Sequence, residues 1–153
     1  MSMSIAYWCV LIAALLPYLW VAVAKASGKR YDNRDPRGWQ TRQDNPRSHA
    51  AYAAHLNAFE AFAPFAAGVI GAQMTGVATD WIVILSIVFI VFRVLHGVFY
   101  VLRQPRLRSL AWVVGFGCVL ALLVLAALAA SEDASAQVVL RLLDGSTQAG
   151  LPS

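Results

Sequence analysis

Charge is scarce in this 153-residue chain: 13% of its residues are charged, while 59% are hydrophobic. Soluble domains carry roughly 25% charged residues, so an ordinary soluble fold is excluded and lipid must cover the outside. Cysteine is scarcer still. Cys9 and Cys118 both fall inside apolar runs, where small packing residues are expected rather than a disulfide or a reactive thiol. No second histidine lies at ligand spacing from His96 on its helix, and there is no set of thiolates, which argues against a metal site. No Lys or Arg precedes Lys25. The first apolar run, residues 5–24, therefore lacks the basic leader of a secretory signal and is longer than a signal's apolar core, so it reads as a retained transmembrane helix. There is no internal repeat, and no pair of interrupted apolar segments of the kind that builds a transporter's midplane site. The basic residues behind the net charge of +4 crowd into two loops and are no sign of nucleic-acid binding.

Long apolar stretches dominate what remains. About 18–20 apolar residues cross a bilayer, and four spans are predicted at residues 4–26, 48–76, 79–102 and 109–130. The fold class is all-α: an integral membrane bundle of four transmembrane helices over residues 1–130, followed by a polar tail over residues 131–153. Ser131, Glu132 and Asp133 are expected to stop the fourth span. A short amphipathic helix is expected at residues 136–143, and a loose, turn-rich end from Gly145. The loop of residues 25–47 carries Lys25, Lys29, Arg30, Arg34, Arg37, Arg42 and Arg47, and the loop of residues 103–108 carries Arg103, Arg106 and Arg108. The positive-inside rule places both loops in the cytoplasm and both termini on the other side. Within the long loop, Pro36, Gly38 and Pro46 break regular structure. Tyr31 and Trp39 suit the membrane interface, and Asp32, Asp35 and Asp44 are placed to pair locally with the arginines.

Four polar residues interrupt the apolar spans: Asn57 and Glu60 in the second, Arg93 and His96 in the third. A charge at mid-membrane costs roughly 2.5–3.5 kcal/mol even on the mildest scale, so such residues pair with one another or mark a function. Asn57 and Glu60, three apart, share a helix face. Pro64 cannot donate to the Glu60 carbonyl. Arg93, His96 and Tyr100 lie on one stripe running toward the basic loop. Glu60 is the expected partner of Arg93 on depth and sign. A structural clamp and a ligand contact are both open readings for these residues. The second span is dense in alanine, which lets helices approach closely in lipid and makes it the central helix. Arg106 and Arg108 serve either as anchors on phospholipid or as stabilisers of an anion or thiolate, since a guanidinium stays charged.

Ala54-His55-Leu56-Asn57, then Glu60, then Pro64-Phe65 resembles the second-helix motif of the MAPEG family, the membrane-associated proteins of eicosanoid and glutathione metabolism. Arg93-x-x-His96-x-x-x-Tyr100, followed by Pro105, Arg108 and Gly115-Phe116-Gly117, is similar to that family's third and fourth helices. The resemblance covers about residues 5–130. It implies a homotrimer of four-helix subunits that binds glutathione as co-substrate in a cleft between neighbours, open to the cytoplasm. It would place Asn57, Glu60, Arg93 and Tyr100 around glutathione, with His55 and His96 at polar positions of the motifs. Arg108, or alternatively Arg106, would activate the thiol. The chain departs from the family pattern at Ala53, where members generally carry arginine, and at Ala61, where several carry tyrosine or a polar residue. Arg47 and Lys25 are the candidate replacement cations.

The resulting expectation is a glutathione-dependent transferase or peroxidase acting on a lipophilic small molecule between subunits. The alternative is a non-catalytic membrane scaffold or lipid-binding member of the same fold. A proton or solute path through Glu60, Arg93 and His96 has too few intramembrane ionisable groups to stand beside them.

Overall fold

Capping signals in the sequence decide where the helices begin. The computed structural model describes the backbone of residues 1–149 and the side chains of residues 1–137. Five helices lie within it: α1 (Met3–Ser27), α2 (Pro36–Thr41), α3 (Pro46–Met74), α4 (Thr79–Val101) and α5 (Pro105–Ala149). The Ser2 hydroxyl accepts from the Ser4 N–H at the start of α1. Asn45 caps α3 by accepting from the Arg47 N–H, and Pro46 occupies the first helical position, where its missing N–H costs nothing. Pro105 opens α5 in the same way.

Helix ends are equally specific. The Gly76 N–H bonds the Gln73 carbonyl and the Val77 N–H bonds the Ala72 carbonyl, so a left-handed glycine (φ 76°) closes α3 in a Schellman motif. α4 closes with the same two bonds, from Arg103 to Tyr100 and from Gln104 to Phe99. There the left-handed position is held by an arginine, φ 57°, at a cost of roughly 1–2 kcal/mol relative to glycine.

α3 packs against α1, α4 and α5, and α4 also meets α1 and α5. Small buried residues on α3, among them Ala51, Ala54, Ala58, Gly68 and Ala72, permit the close approaches, as the alanine-rich sequence predicts. A Cβ at Gly68 would lie 3.1 Å from the Leu122 Cβ of α5. The Trp20 indole of α1 lies where a Cβ on Gly97 of α4 would project. Phe65 and Phe89 stack at 3.8 Å between ring centres in the middle of the core. Outward faces are apolar: Trp8 and Leu15 on α1, Trp81 on α4, and Leu110, Val113 and Val124 on α5 are all exposed.

Three of the helices, α1, α4 and α5 over residues 105–137, are long and apolar enough to cross a membrane, which makes this a multi-pass membrane protein. α3 is long enough as well. Its 29 residues span about 43 Å, against a hydrocarbon core of about 30 Å. It is not apolar enough to qualify, because Arg47, His49, His55, Asn57, Glu60 and its many alanines lower its mean hydropathy.

The loop between α1 and α3 differs from expectation. It contains α2, whose first turn is capped by the Asp35 carboxylate accepting from the Gly38 N–H. Trp39 does not present its ring at the surface of the loop. It is 4% exposed, and its Nε1 donates to the carbonyls of Lys29 and Arg30, making it the core of the loop. Gln43 completes that core, accepting from the Lys29 N–H at 2.8 Å and donating to the Trp39 carbonyl at 2.9 Å. Of the local ion pairs expected with the arginines, one forms, between Arg42 and Asp35 (3.1 Å); Asp44 pairs with Lys29 instead (2.8 Å), and Asp32 accepts from the Arg34 N–H (2.9 Å). The Gly38 N–H, and then Arg42, hold the Asp35 carboxyl below the usual carboxylate range.

The helix does not end where the fourth span was expected to stop: α5 runs through Ser131–Asp133 to Ala149. Ser131 and Ser135 donate back to the carbonyls of Leu128 and Ser131, so both satisfy their hydroxyls within the helix. Residues 131–133 end the apolar run and not the helix. The helix expected at residues 136–143 lies within α5, and residues 150–153 of the expected loose end lie outside the described residues.

Gly97→Ala is expected to drive the Trp20 indole off α4. Overpacking of this kind costs about 1–3 kcal/mol and should appear as a lowered melting temperature in detergent by circular dichroism. Ala58→Gly, which opens space at a neighbouring crossing, is the contrasting control.

Candidate functional site

Arginine 93 is 4% exposed and must find hydrogen-bond acceptors inside the bundle. It finds them on α3. Its Nη2 donates to both the backbone carbonyl and the side-chain Oδ1 of Asn57, each at 2.8 Å. The Asn57 Nδ2 donates in turn to Glu60 Oε2 at 3.1 Å. The expected direct pair between Arg93 and Glu60 is therefore replaced by a relay. Asn57, three residues from Glu60, reaches Arg93 first and separates the two charges, and Glu60 is left exposed. Gly115 of α5 lies alongside the arginine stem, and a Cβ there would be in contact with the Arg93 Cδ at 3.4 Å.

Tyr100 and His96 continue the stripe. His96 Nδ1 lies 3.0 Å from the backbone carbonyl of Arg108. A carbonyl only accepts, so Nδ1 carries the proton, and in the neutral ring Nε2 is an acceptor. The residue is 4% exposed, and Nε2 has no partner among the described residues. Tyr100 meets the His96 ring edge-on at 5.1 Å, and the Arg108 guanidinium sits 4.5 Å above the Tyr100 ring. Such a cation–π contact is worth about 0.5–2 kcal/mol, more as it is desolvated.

These residues line a row of three adjoining recesses between α3, α4 and α5. The deep one, about 140 Å³, is bounded by Glu60, Pro64, Phe89, Arg93 and Phe116. It shares Asn57 and Trp112 with a middle recess of about 260 Å³, which also holds His96, Tyr100 and Arg108. The middle recess shares Tyr100 and Arg108 with an outer one of about 390 Å³ at the basic end. The row is thus polar along α3 and α4 and aromatic along α5.

Asn57, Glu60, Arg93, His96, Tyr100 and Arg108 are brought together. His55 and Arg106 are not among the residues lining the row. His55 faces the other way, its Nδ1 2.8 Å from the Pro17 carbonyl of α1 and its ring against Phe59. Arg106 is exposed, whereas Arg108 is half-buried. Neither candidate replacement cation lines the row. Lys25 sits over the Tyr31 ring at 3.8 Å, and Arg47 lines a separate recess with Ser27 and Asn45. Ala61 lines the deep recess. Trp112 is the lining residue that sequence reasoning missed. It stacks on Phe116 at 5.0 Å, and the spacing of Arg108, Trp112 and Phe116, four residues apart on one helix face, was the available signal.

Asn57→Ala should strip the buried guanidinium of a charge-assisted bond and lower stability by about 1.5–3 kcal/mol. Glu60→Gln should cost little, because the amide oxygen still accepts from Asn57. Thermal unfolding of the two variants side by side checks the order, and a larger loss in Glu60→Gln would contradict the relay.

No curated protein matches the sequence. The MAPEG family profile matches residues 5–128, most of the chain and all of the row just described. On that match, over a bundle of apolar helices carrying both motifs, the chain belongs to the MAPEG family, the membrane-associated proteins of eicosanoid and glutathione metabolism.

Proposed function

We propose that this protein is a glutathione-dependent transferase or peroxidase that acts on a lipophilic substrate. In this reading four helices, α1, α3, α4 and α5, cross the membrane, the basic loops face the cytoplasm, both termini face away from it, and three copies assemble with the row of recesses at their interfaces. The observation that carries it is the middle recess. A half-buried guanidinium, a tyrosine and a buried histidine with an unpartnered Nε2 converge there, beside the aromatic wall of Trp112 and Phe116.

Glutathione supplies a thiol. A free thiol of pKa about 8.5 is roughly 3% thiolate at pH 7, so the first task of the site is to favour the charged form. Arg108 does this by Coulomb attraction, which strengthens as water is excluded. The Arg108 guanidinium is steadied by the Tyr100 ring beneath it. His96 Nε2 accepts a hydrogen bond from the ligand. Asn57 and Arg93 hold the floor, and Glu60, exposed beside them, offers a carboxylate to an ammonium group. The thiolate then attacks a molecule whose apolar part lies along Trp112 and Phe116. At an electrophilic carbon a C–S bond forms as the leaving group departs with its electron pair. At a peroxide oxygen the O–O bond breaks, the released alkoxide takes up a proton to become the alcohol, and the glutathione sulfenic acid condenses with a second glutathione to give the disulfide and water.

One observation favours a second reading, a scaffold or lipid-binding protein: Arg93 Nη2 is engaged by Asn57 in a contact between helices, and no cation stands at Ala53. Two measurements separate the readings. Glutathione at a hundredfold excess over Kd should stabilise the purified protein by about 2.7 kcal/mol. Ultraviolet difference absorbance should show thiolate forming at millimolar glutathione in the wild type, and at least tenfold less in Arg108→Ala. A melting temperature indifferent to glutathione would leave the scaffold reading standing.

A further inference from the structure

Two helices end in the same Schellman turn with different residues in its left-handed position. Gly76 holds that position after α3, and Arg103 holds it after α4. Glycine is the usual occupant, because it alone carries no Cβ penalty there. Arg103 is the one non-glycine residue with positive φ among the described residues. Backbone strain that a single substitution would remove directs attention to what the side chain does.

The Arg103 side chain lines the outer recess of about 390 Å³ with His49, Tyr100, Gln104 and Arg108. Two guanidinium groups therefore border one opening. Pro105 lines it too and starts α5, so the unbonded N–H groups of that helix's first turn add positive potential. The Schellman bonds occupy the Phe99 and Tyr100 carbonyls, leaving fewer acceptors to oppose an anion. Among the described residues Arg103 has no carboxylate partner, whereas Lys29 and Arg42 in the neighbouring loop are both paired. Leu102 and Leu107, on either side of the turn, are exposed apolar residues. A ligand here meets cations at its head and hydrocarbon at its flank.

We propose that this recess binds the phosphate of an anionic phospholipid headgroup, and that Arg103 occupies a glycine position because its guanidinium contacts that phosphate directly. Planar arginine forks suit phosphate oxygens. The proposal does not rest on the glutathione reading, since Arg103 lies outside the middle recess.

The test uses the full chain in neutral detergent. Melting temperature is titrated with phosphatidylglycerol, with phosphatidylcholine and with inorganic phosphate, for the wild type, Arg103→Gly and the loop variant Arg37→Gln. Phosphatidylglycerol should stabilise the wild type and Arg37→Gln alike, with at least a tenfold weaker apparent affinity in Arg103→Gly, and phosphatidylcholine should have no effect. Without lipid, Arg103→Gly should melt at or above the wild type, because the turn is relaxed. Its response to glutathione should equal the wild type's, which separates this site from the thiol site. If Arg103→Gly fails to fold, Arg103→Asn, which also tolerates the left-handed region, takes its place. Full retention of the phosphatidylglycerol response in the Arg103 variant, or an equal loss in Arg37→Gln, would overturn the proposal. An inorganic phosphate response matching that of the lipid would overturn the headgroup assignment.

Discussion

A guanidinium with almost no access to solvent has to be given its solvation by the protein, and in this bundle Asn57 provides it. Two short bonds from one Arg93 nitrogen, to the Asn57 carbonyl and to its side chain, fix α4 against α3 in both height and rotation. The amide can face only one way: its oxygen is taken by Arg93, so its nitrogen must serve Glu60. Two helices are therefore registered by one buried charge. All three members of the relay line the deep recess, and the carboxylate at its end is the exposed one.

The rest of the bundle holds by close packing and by a few polar ties at the helix ends. Ser48 donates to the Ala24 carbonyl at 2.8 Å and Asn45 donates to the Ser27 carbonyl at 2.6 Å, joining the end of α1 to the start of α3. Tyr7 bonds Gln73 near the other end of the same pair. Between these ties the contact is made by alanines, and His55 meets the Pro17 carbonyl. This explains how α3 can be so much less apolar than its neighbours. A helix surrounded by three others answers to protein rather than to lipid, so small size and hydrogen-bond geometry matter more than hydropathy.

The four long helices, their order and the polar stripes were legible in the sequence because apolar length, alanine density and three- and four-residue spacings are local quantities. So were Asn57, His96, Tyr100 and Arg108 of the middle recess, which two motifs identify in order, though not Trp112 beside them. What was not legible depends on distances between elements. Sign and depth paired Arg93 with Glu60, but a shorter amide lies between them. Tryptophan in a basic loop reads as an interface anchor until Gln43 and the carbonyls of Lys29 and Arg30 are seen to enclose Trp39. A serine and two acids read as a helix stop, although serines that bond back to their own helix do not end it. His55 belongs to the motif in sequence and to α1 in space.

Arg108 shows how this chain divides labour within one residue. Its backbone carbonyl accepts from His96 and so fixes which imidazole nitrogen carries the proton, while its guanidinium lies over Tyr100. The first role belongs to the main chain at the start of α5 and survives any side-chain change there. The second belongs to the side chain alone. The backbone bond to His96 Nδ1 thus does not depend on the side chain at position 108, and the charge at that position acts on the recess independently of the hydrogen-bond frame. Chemistry that needs both a fixed acceptor and a cation would draw one from the backbone and the other from the side chain of the same residue, one turn nearer the basic end than the buried Asn57–Arg93 clamp that holds the helices in place.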